Sequence, residues 1–437
     1  MKISLVFPRM RYKSGDPPLG MALIASNLRK NGHSVDLVDS TFHPNIEYIQ
    51  KKLEDFNPNF VAVYVDSMMF NDSTKVMQLA KGMGKKVLAG GPHATLKPQT
   101  LTNHADYIVS GEAEKTIVDI IEGKHKSEKI IQAERPDLEK LPMPAYDLLE
   151  MKEYMKLWHN LDSINTNLKG TSLMSSRGCP YHCTFCQPVL EKIYGKGVRT
   201  RTVESVIQEI KFLKEEYGLQ GVFFHDDTFT VKRNWVLDLS QKLIDEKLSI
   251  LWGINSRIDL LDKELMEKMY EAGLRVIHIG VETGSQRVSD EIYNKGIDLK
   301  KVPPLVSLAE KVGIRCLCFF MLGAPGETKE EIKQTIKFAK SLDATEITAT
   351  ICTPLPETYM FESIKDKYKI TTDFSQFDYY KNLAYENPDL SFKEIKKLQK
   401  KLLLEFYTHP KRWKYIAKHL ISPKGIKKML LKVSRFS

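Results

Sequence analysis

Apolar residues recur along this chain in two series of short runs, each followed by a stretch with helical spacing. The first series comprises residues 3–7, 35–39, 60–65, 86–89 and 107–109. These runs are nearly continuous and rich in Val, Ile and Leu, as strands buried on both faces require. Between them, 18–30 carries Leu19, Leu23, Ile24 and Leu28 near a helical period, and 46–56 and 73–83 read as further helices. The alternation predicts an α/β fold that opens with a doubly wound parallel sheet, with ligands held at the carboxyl ends of its strands.

A second series follows. Apolar runs at 171–174, 221–224, 251–254, 276–281, 316–322 and 346–351 alternate with helical stretches such as 205–217. Six such repeats predict a partial (β/α)6 barrel, with its site at the strands' carboxyl ends. The expected organisation is therefore a first domain over 1–130, a connector over 131–168, a barrel core over 169–365 and a helical basic region over 366–437. Arg135-Pro136 and Pro142 and Pro144 favour extended chain in the connector. Beyond 366 the alternation stops. Ser391-Phe392-Lys393-Glu394 spells a capping box, and Ile395, Leu398, Leu402 and Phe406 mark the apolar face of the helix it opens.

Composition is that of an ordinary globular protein, 42% apolar and 27% charged over 437 residues. Six cysteines in a chain of this length make no secreted disulfide framework, and a reducing, cytoplasmic setting is expected. The net charge of +10 is unevenly placed: from 393 onward 14 Lys and Arg face two acids, a balance of +12, which leaves the rest near −2. Beyond Pro410, Trp413, Tyr415, Ile416, Leu420, Ile426, Met429, Leu430 and Val433 are interleaved with basic residues. This basic amphipathic pattern suits an anionic membrane surface or a lipid substrate, a peripheral attachment, or else a helix packed on the barrel with a solvated basic face. Nucleic acid is disfavoured, since no further RNA-binding module is legible.

The chemistry concentrates in Ser175-Ser176-Arg177-Gly178-Cys179-Pro180-Tyr181-His182-Cys183-Thr184-Phe185-Cys186. Gly178 and Pro180 break the strand before them, so the thiols project from a loop at its carboxyl end. Three thiolates on one loop suit three irons of a [4Fe–4S] cube and leave the fourth iron open. A zinc site with His182 as fourth ligand is the alternative, although zinc ribbons usually join two separated cysteine pairs.

The spacing of Cys179, Cys183 and Cys186, with aromatic Phe185 before the last, resembles the radical S-adenosylmethionine (SAM) superfamily. The resemblance implies that the open iron chelates SAM and that Phe185 packs near its adenine. It also places His225, Asp226 and Asp227 where backbone receives the SAM amino group, Asn255, Arg257, Glu282 and Thr283 about its carboxylate and ribose, and Gly323 along the adenine. Cys316, Cys318 and Cys352 are read as buried packing in preference to a catalytic thiol.

In the first domain, Pro17-Pro18-Leu19-Gly20, Gly90-Gly91-Pro92-His93-Ala94-Thr95 and Gly111-Glu112-Ala113-Glu114 look like the cobalamin-binding domain of cobalamin-dependent radical SAM enzymes. Over residues 1–365 the chain is similar to the methylases of that group and to anaerobic magnesium-protoporphyrin ester cyclases. The resemblance implies cobalamin beside Gly90, Gly91, His93, Gly111 and Glu112. Many such domains carry Asp-x-His-x-x-Gly after the first strand, but here the loop is Pro8-Arg9-Met10-Arg11-Tyr12-Lys13-Ser14-Gly15. The lower face of cobalt is therefore expected to carry no histidine, and to be vacant, water-bound or met by Asp66, Ser67 or Met68.

The function these features imply is methyl transfer to an unactivated carbon of a small-molecule or lipid substrate. It uses a [4Fe–4S] cluster, SAM, cobalamin and a reducing electron donor. A radical cyclisation or rearrangement without methyl transfer is the alternative, followed by a metal-holding scaffold without turnover.

Overall fold

The computed structural model describes residues 1–125, 128–371, 373, 377, 384–387, 389–413, 417 and 426. Two compact units emerge. The first comprises Met1–Trp158 with Val189–Ser205, and the second His159–Pro188 with Val206–Ser437.

In the first unit six strands run parallel: β1 (Lys2–Phe7), β2 (Ser34–Asp39), β3 (Phe60–Tyr64), β4 (Lys86–Gly90), β5 (Tyr107–Ser110) and β6 (Ile130–Gln132). Their order is β2-β1-β3-β4-β5-β6. β1 pairs with β2 on one side and β3 on the other, so the winding reverses between β1 and β3. The loops leaving those two strands diverge, which opens a crevice at their carboxyl ends. Val6, Val61, Val63, Val87, Ala89 and Ile108 are buried against Ile49 and Leu53 of the helix Ile46–Phe56 and Val76, Met77 and Ala80 of the helix Phe70–Gly82. Asn45 starts the first of these helices by accepting the Tyr48 N–H at 2.7 Å, and Asn57 ends it in the left-handed conformation. β6 is the strand that periodicity does not reveal. Three residues at a sheet edge between charged segments carry no legible period.

In the second unit six strands again run parallel: β7 (Gly170–Leu173), β8 (Gly221–Phe224), β9 (Leu251–Ser256), β10 (Leu274–Glu282), β11 (Arg315–Leu322) and β12 (Glu346–Ile351). Neighbours follow chain order, β7 through β12, as a right-handed series of β-helix-β crossovers dictates. The two faces of this sheet differ. Along β11, Cys316, Cys318, Phe320 and Leu322 are fully buried, while Leu317, Phe319 and Met321 between them are part exposed. Cys316 and Cys318 thus belong to the buried packing face. Cys352 is buried with its thiol 3.4 Å from the Met360 sulfur.

The helix Phe392–Tyr407 begins at the capping box read from the sequence. Ser391 Oγ accepts the Glu394 N–H, and Glu394 accepts the Ser391 N–H at 3.2 Å. Ile395, Leu398, Leu402 and Phe406 are its buried face, and Gln399 donates to the Ala349 carbonyl of β12 at 2.8 Å. Beyond it, Lys411 pairs with Asp343 at 2.7 Å and the Arg412 guanidinium lies over the Phe406 ring. Most of the basic amphipathic stretch beyond Trp413 lies outside the described residues. Among the described residues no helix is long and apolar enough to cross a membrane.

Candidate functional site

The cysteine loop leaves β7 and is held at both ends. Asp226, just past β8, is buried and accepts the Ser175 N–H at 2.7 Å, the Ser175 hydroxyl at 2.5 Å and the Ser176 hydroxyl at 2.8 Å. Gly178 then turns the chain with φ of +93°, a conformation that side chains resist. Farther on, Thr184 donates its N–H to the Tyr293 carbonyl and its hydroxyl to that of Ile292, and Gln187 donates its side chain to the Cys179 carbonyl. Cys179, Cys183 and Cys186 are free thiols on this clamped loop. Phe185 packs edge-on to Tyr293, ring centroids 5.4 Å apart.

Burial pushes the Cys186 and Cys183 thiols up. The Lys295 ammonium opposes this at both, and Arg257 at Cys183, so the cations near the loop favour thiolates. Lys295 is itself buried. Burial would depress it, but Glu282 at 2.8 Å and the Cys183 thiol hold it above the ordinary lysine range. The sequence conceals how this pair forms. β10 shifts register between Gly280 and Glu282, and Glu282 takes a φ of +69°. A Cβ on Gly280 would stand 2.3 Å from the Glu282 carboxylate and 2.7 Å from Lys295 Nζ, so glycine makes the room for the pair.

Arg257 follows β9. Its guanidinium stacks 3.8 Å from the centroid of Tyr181, which stands on the cysteine loop, and grips Asp259 through two bonds of 3.0 and 2.8 Å. The remaining nitrogen, Nη1, is buried without a partner. A buried, unpaired donor on a charged group is costly unless a ligand completes it, and a carboxylate suits a guanidinium best. Asp227 is reached by solvent yet surrounded by protein, as a group on the wall of a recess is. Burial and the neighbouring Asp226 raise its carboxyl to about 6, against the Gly178 backbone. The thiols, the orphaned guanidinium nitrogen and the nearby cations fit a cluster with a SAM-like amino acid beside it. Among the described residues no three His, Cys, Asp or Glu groups converge on a single-ion site, and His182 is exposed on the loop. A cube offers each thiolate its own iron, so its ligands need not converge as those of one zinc must.

One expected contact, that of Thr283, is corrected here, and the partners of Asp226 and Gly323 are placed. Thr283 is fully buried and its hydroxyl meets Thr335 at 3.1 Å and the Ser285 N–H at 3.1 Å, inside the packing. The Asp226 carboxylate is occupied with the serines, and only its carbonyl, accepting Asn255 Nδ2 at 3.2 Å, faces the next strand. Gly323 has a φ of +77°, but its N–H is bonded to Glu327 and its carbonyl accepts the Tyr385 hydroxyl. Glu327 escaped the sequence reading. It is fully buried, accepts the Gly323 and Ala324 N–H groups through one oxygen, leaves the other unpartnered, and is pushed up to about 8 by burial. Lys295 and Tyr181 were also missed, since each reaches the site through a contact that spacing does not encode, and so was Asp259, although it stands only two residues from Arg257.

In the first unit, the crevice is bordered by the loops after β1, β3, β4 and β5. Gly90 has open space where a Cβ would be, Gly91 holds a φ of +106° with its would-be Cβ 2.8 Å from the Val65 carbonyl, and Gly111 a φ of +104°. This is backbone exposed for close approach, as a large flat cofactor needs. Asp66 turns its carboxylate inward to the Met69 N–H at 2.7 Å. Ser67 meets His93 Nδ1 at 3.0 Å, His93 Nε2 meets Thr100 at 3.0 Å, and Met68 is part exposed. Burial lowers His93 to about 4, so its ring is neutral, with both nitrogens engaged. The Glu112 carboxylate pairs with Arg199, which also donates to the Pro136 and Tyr194 carbonyls. His93 and Glu112 thus border the crevice with their polar atoms engaged by neighbouring protein groups. Arg9, in the loop that carries a histidine in other cobalamin domains, stacks on Phe7 and Tyr12 and keeps its Nε buried and unpaired.

A sequence model of the radical SAM superfamily matches residues 173–339, and one of the B12-binding domain matches 12–121. An uncharacterized methyltransferase of Pyrococcus horikoshii is 31% identical over 94% of this chain and 93% of its own length. The chain belongs to the radical SAM enzymes that carry a B12-binding domain. Members of this family work with a [4Fe–4S] cluster, SAM and cobalamin, and these are its cofactors. An anaerobic magnesium-protoporphyrin IX monomethyl ester cyclase of Rubrivivax gelatinosus is 25% identical over 87% of this radical SAM chain and 72% of its own. Of the solved structures, the radical SAM methyltransferase TsrM of Kitasatospora setae, with cobalamin and cluster bound, aligns with a TM-score of 0.75 at 16% identity. The alignment covers 93% of this chain and 92% of that one. The cobalamin-dependent enzyme OxsB aligns with a TM-score of 0.67 at 18% identity, over 84% of this chain and 55% of its own. Both likenesses concern the fold.

Proposed function

We propose that this protein is a cobalamin-dependent radical SAM methyltransferase acting on an unactivated carbon of a small molecule, with a one-electron donor as its redox partner. Residues 1–130 are assigned to cobalamin and 169–365 to the cluster, SAM and substrate. The observation that carries the reading is the pairing of a clamped three-cysteine loop with the orphaned Arg257 Nη1 in one unit and a B12-type crevice in the other. The Pyrococcus relative named a methyltransferase supports it at nearly full length, and a cytidylyl-2-hydroxyethylphosphonate methyltransferase of Streptomyces wedmorensis supports it at 24% identity over 76% of this chain and 74% of its own.

In this reading Cys179, Cys183 and Cys186 hold three irons. Arg257, fixed by Asp259 and Tyr181, presents Nη1 to the SAM carboxylate, Asp227 borders the same recess, and Phe185 closes the apolar side. Glu282 anchors Lys295, whose ammonium favours the thiolates while the carboxylate beside it opposes them. Gly90, Gly91 and Gly111 let the corrinoid approach backbone, with no histidine offered to its lower face. When bound, the cluster and SAM supply one-electron cleavage to a hydrogen-abstracting radical, and the corrinoid supplies the methyl group. The protein's own work is to orient these groups and exclude water.

The test is anaerobic reconstitution with iron, sulfide and cobalamin, followed by incubation of the protein with methyl-labelled SAM and a cell extract. Label in a small-molecule product, with about one corrinoid per chain, is expected. Turnover without label in product would favour the cyclase-type alternative, and absence of iron would leave the scaffold reading. The basic tail is assigned to an anionic surface. Truncation after Trp413 should abolish co-sedimentation with anionic vesicles, and equal binding to neutral vesicles would refute the assignment.

A further inference from the structure

A barrel interior that serves only as core is filled by bulky branched aliphatic side chains. The inner face of the second sheet departs from that rule at one level. One step beyond the Leu173, Phe224 and Ile254 register stand His225 after β8, Asn255 on β9 and His278 on β10. His225 is exposed, and Asn255 and His278 are part exposed, as is Phe319 one side-chain step farther along β11, so this level borders open space. Beneath it lies the fully buried ring of Phe223.

The rings form a continuous run. Phe223 meets His225 at 5.0 Å and His278 at 4.5 Å between centroids, both tilted, and His278 meets Phe319 edge-on at 5.5 Å. Gly253 permits the run to cross β9: a Cβ there would stand 2.8 Å from the Phe223 ring. A ligand entering from above meets two imidazoles backed by a phenyl ring, with Phe319 at the side and the Asn255 amide between them. Such a surface presents π faces with a polar amide beside them, and it discriminates between a flat ring and a puckered one of the same size.

We infer that this level is a recognition shelf for a planar, unsaturated ring bearing a polar edge, and that the substrate's ring is held there. The inference rests on the methyltransferase reading, which makes this face the place where substrate lies. No part of it requires either histidine to transfer a proton.

Histidine footprinting tests it on the full reconstituted chain under anaerobic conditions. Diethyl pyrocarbonate is applied with benzamide, or with cyclohexanecarboxamide, which has the same polar edge on a puckered ring. Carbethoxylation is read peptide by peptide. Benzamide should slow modification of His225 and His278 about threefold or more, cyclohexanecarboxamide far less. His43 and His182, whose rings are not part of the shelf, should react equally in all samples. Phe319→Leu should weaken the benzamide footprint. Equal protection by the two amides, or none by benzamide, in a preparation that holds its cluster and corrinoid overturns the shelf and leaves the methyltransferase reading standing. Protection in a preparation that takes up neither cofactor would instead overturn that reading and leave the shelf.

Discussion

The two sheets share a construction, six parallel strands with their loops at the carboxyl ends, yet the loops of one are chemically closed, Arg9 Nε apart, and those of the other open. In the first unit Asp66, Ser67, His93 and Glu112 have their polar atoms engaged by neighbouring protein groups. What they leave to a ligand is shape and glycine backbone. In the second unit the comparable ends carry an unpaired guanidinium nitrogen, a solvent-reached carboxyl raised by its surroundings and three free thiols. A large cofactor can be held by many weak contacts with backbone, so side chains there serve to keep the cradle rigid. A small, charged cofactor offers few contacts and needs each to be strong.

The sharpest way to break this contrast is to remove a thiol. Cys183→Ala should abolish the cluster and with it SAM cleavage, seen as loss of the iron charge-transfer absorbance and of 5′-deoxyadenosine. Changing Cys316, Cys318 and Cys352 together should leave the cluster in place. A cluster that still cleaves SAM in Cys183→Ala would end the reading of this unit.

Next in size is Arg257→Met. Losing a charged hydrogen bond of about 1.5–3 kcal/mol should weaken SAM binding by roughly ten- to a hundredfold at unchanged iron content. Calorimetric titration with SAM under anaerobic conditions checks it. An unchanged affinity would mean that Nη1 does not meet the cofactor.

A third test concerns Glu327, whose carboxyl is raised to about 8. A carboxyl raised on folding binds its proton more tightly in the native state. Its stability contribution is therefore complete below the unfolded value near 4.5 and is lost as pH rises through about 8. Denaturant unfolding across that window should show wild type losing stability with pH, on the order of a few kcal/mol. Glu327→Gln should flatten the slope, and an identical slope in the variant would assign it to other groups.

The smallest effect is expected on the closed side. With both ring nitrogens engaged, His93→Ala should cost about 1–3 kcal/mol of stability. It should leave the cobalt signal unchanged, because the wild-type cob(II)alamin spectrum is expected to show no coupling to a protein nitrogen. Nitrogen coupling that vanishes in His93→Ala would show that the first unit is open after all.

Periodicity alone was enough for the two strand–helix series, and loop chemistry for the three cysteines and the glycine turns, because these are local properties. Strand burial follows from runs of Val, Ile and Leu, and the helix cap at Ser391 from four consecutive residues. The capping box and the buried face of Ile395, Leu398, Leu402 and Phe406 were legible for the same reason. What each site residue faces was not local. Thr283 and Glu282 are adjacent in sequence, and a register shift with a left-handed Glu282 sends one to an ion pair and the other into the packing. Lys295 and Tyr181 reach Glu282 and Arg257 only after the loops fold back, and Glu112 faces Arg199 across 87 residues. Whether a polar atom is occupied or left for a ligand depends on partners brought by tertiary contact. The residue types and their spacing therefore set which chemistry the chain can host, and the folded backbone decided which of those groups remain available for it.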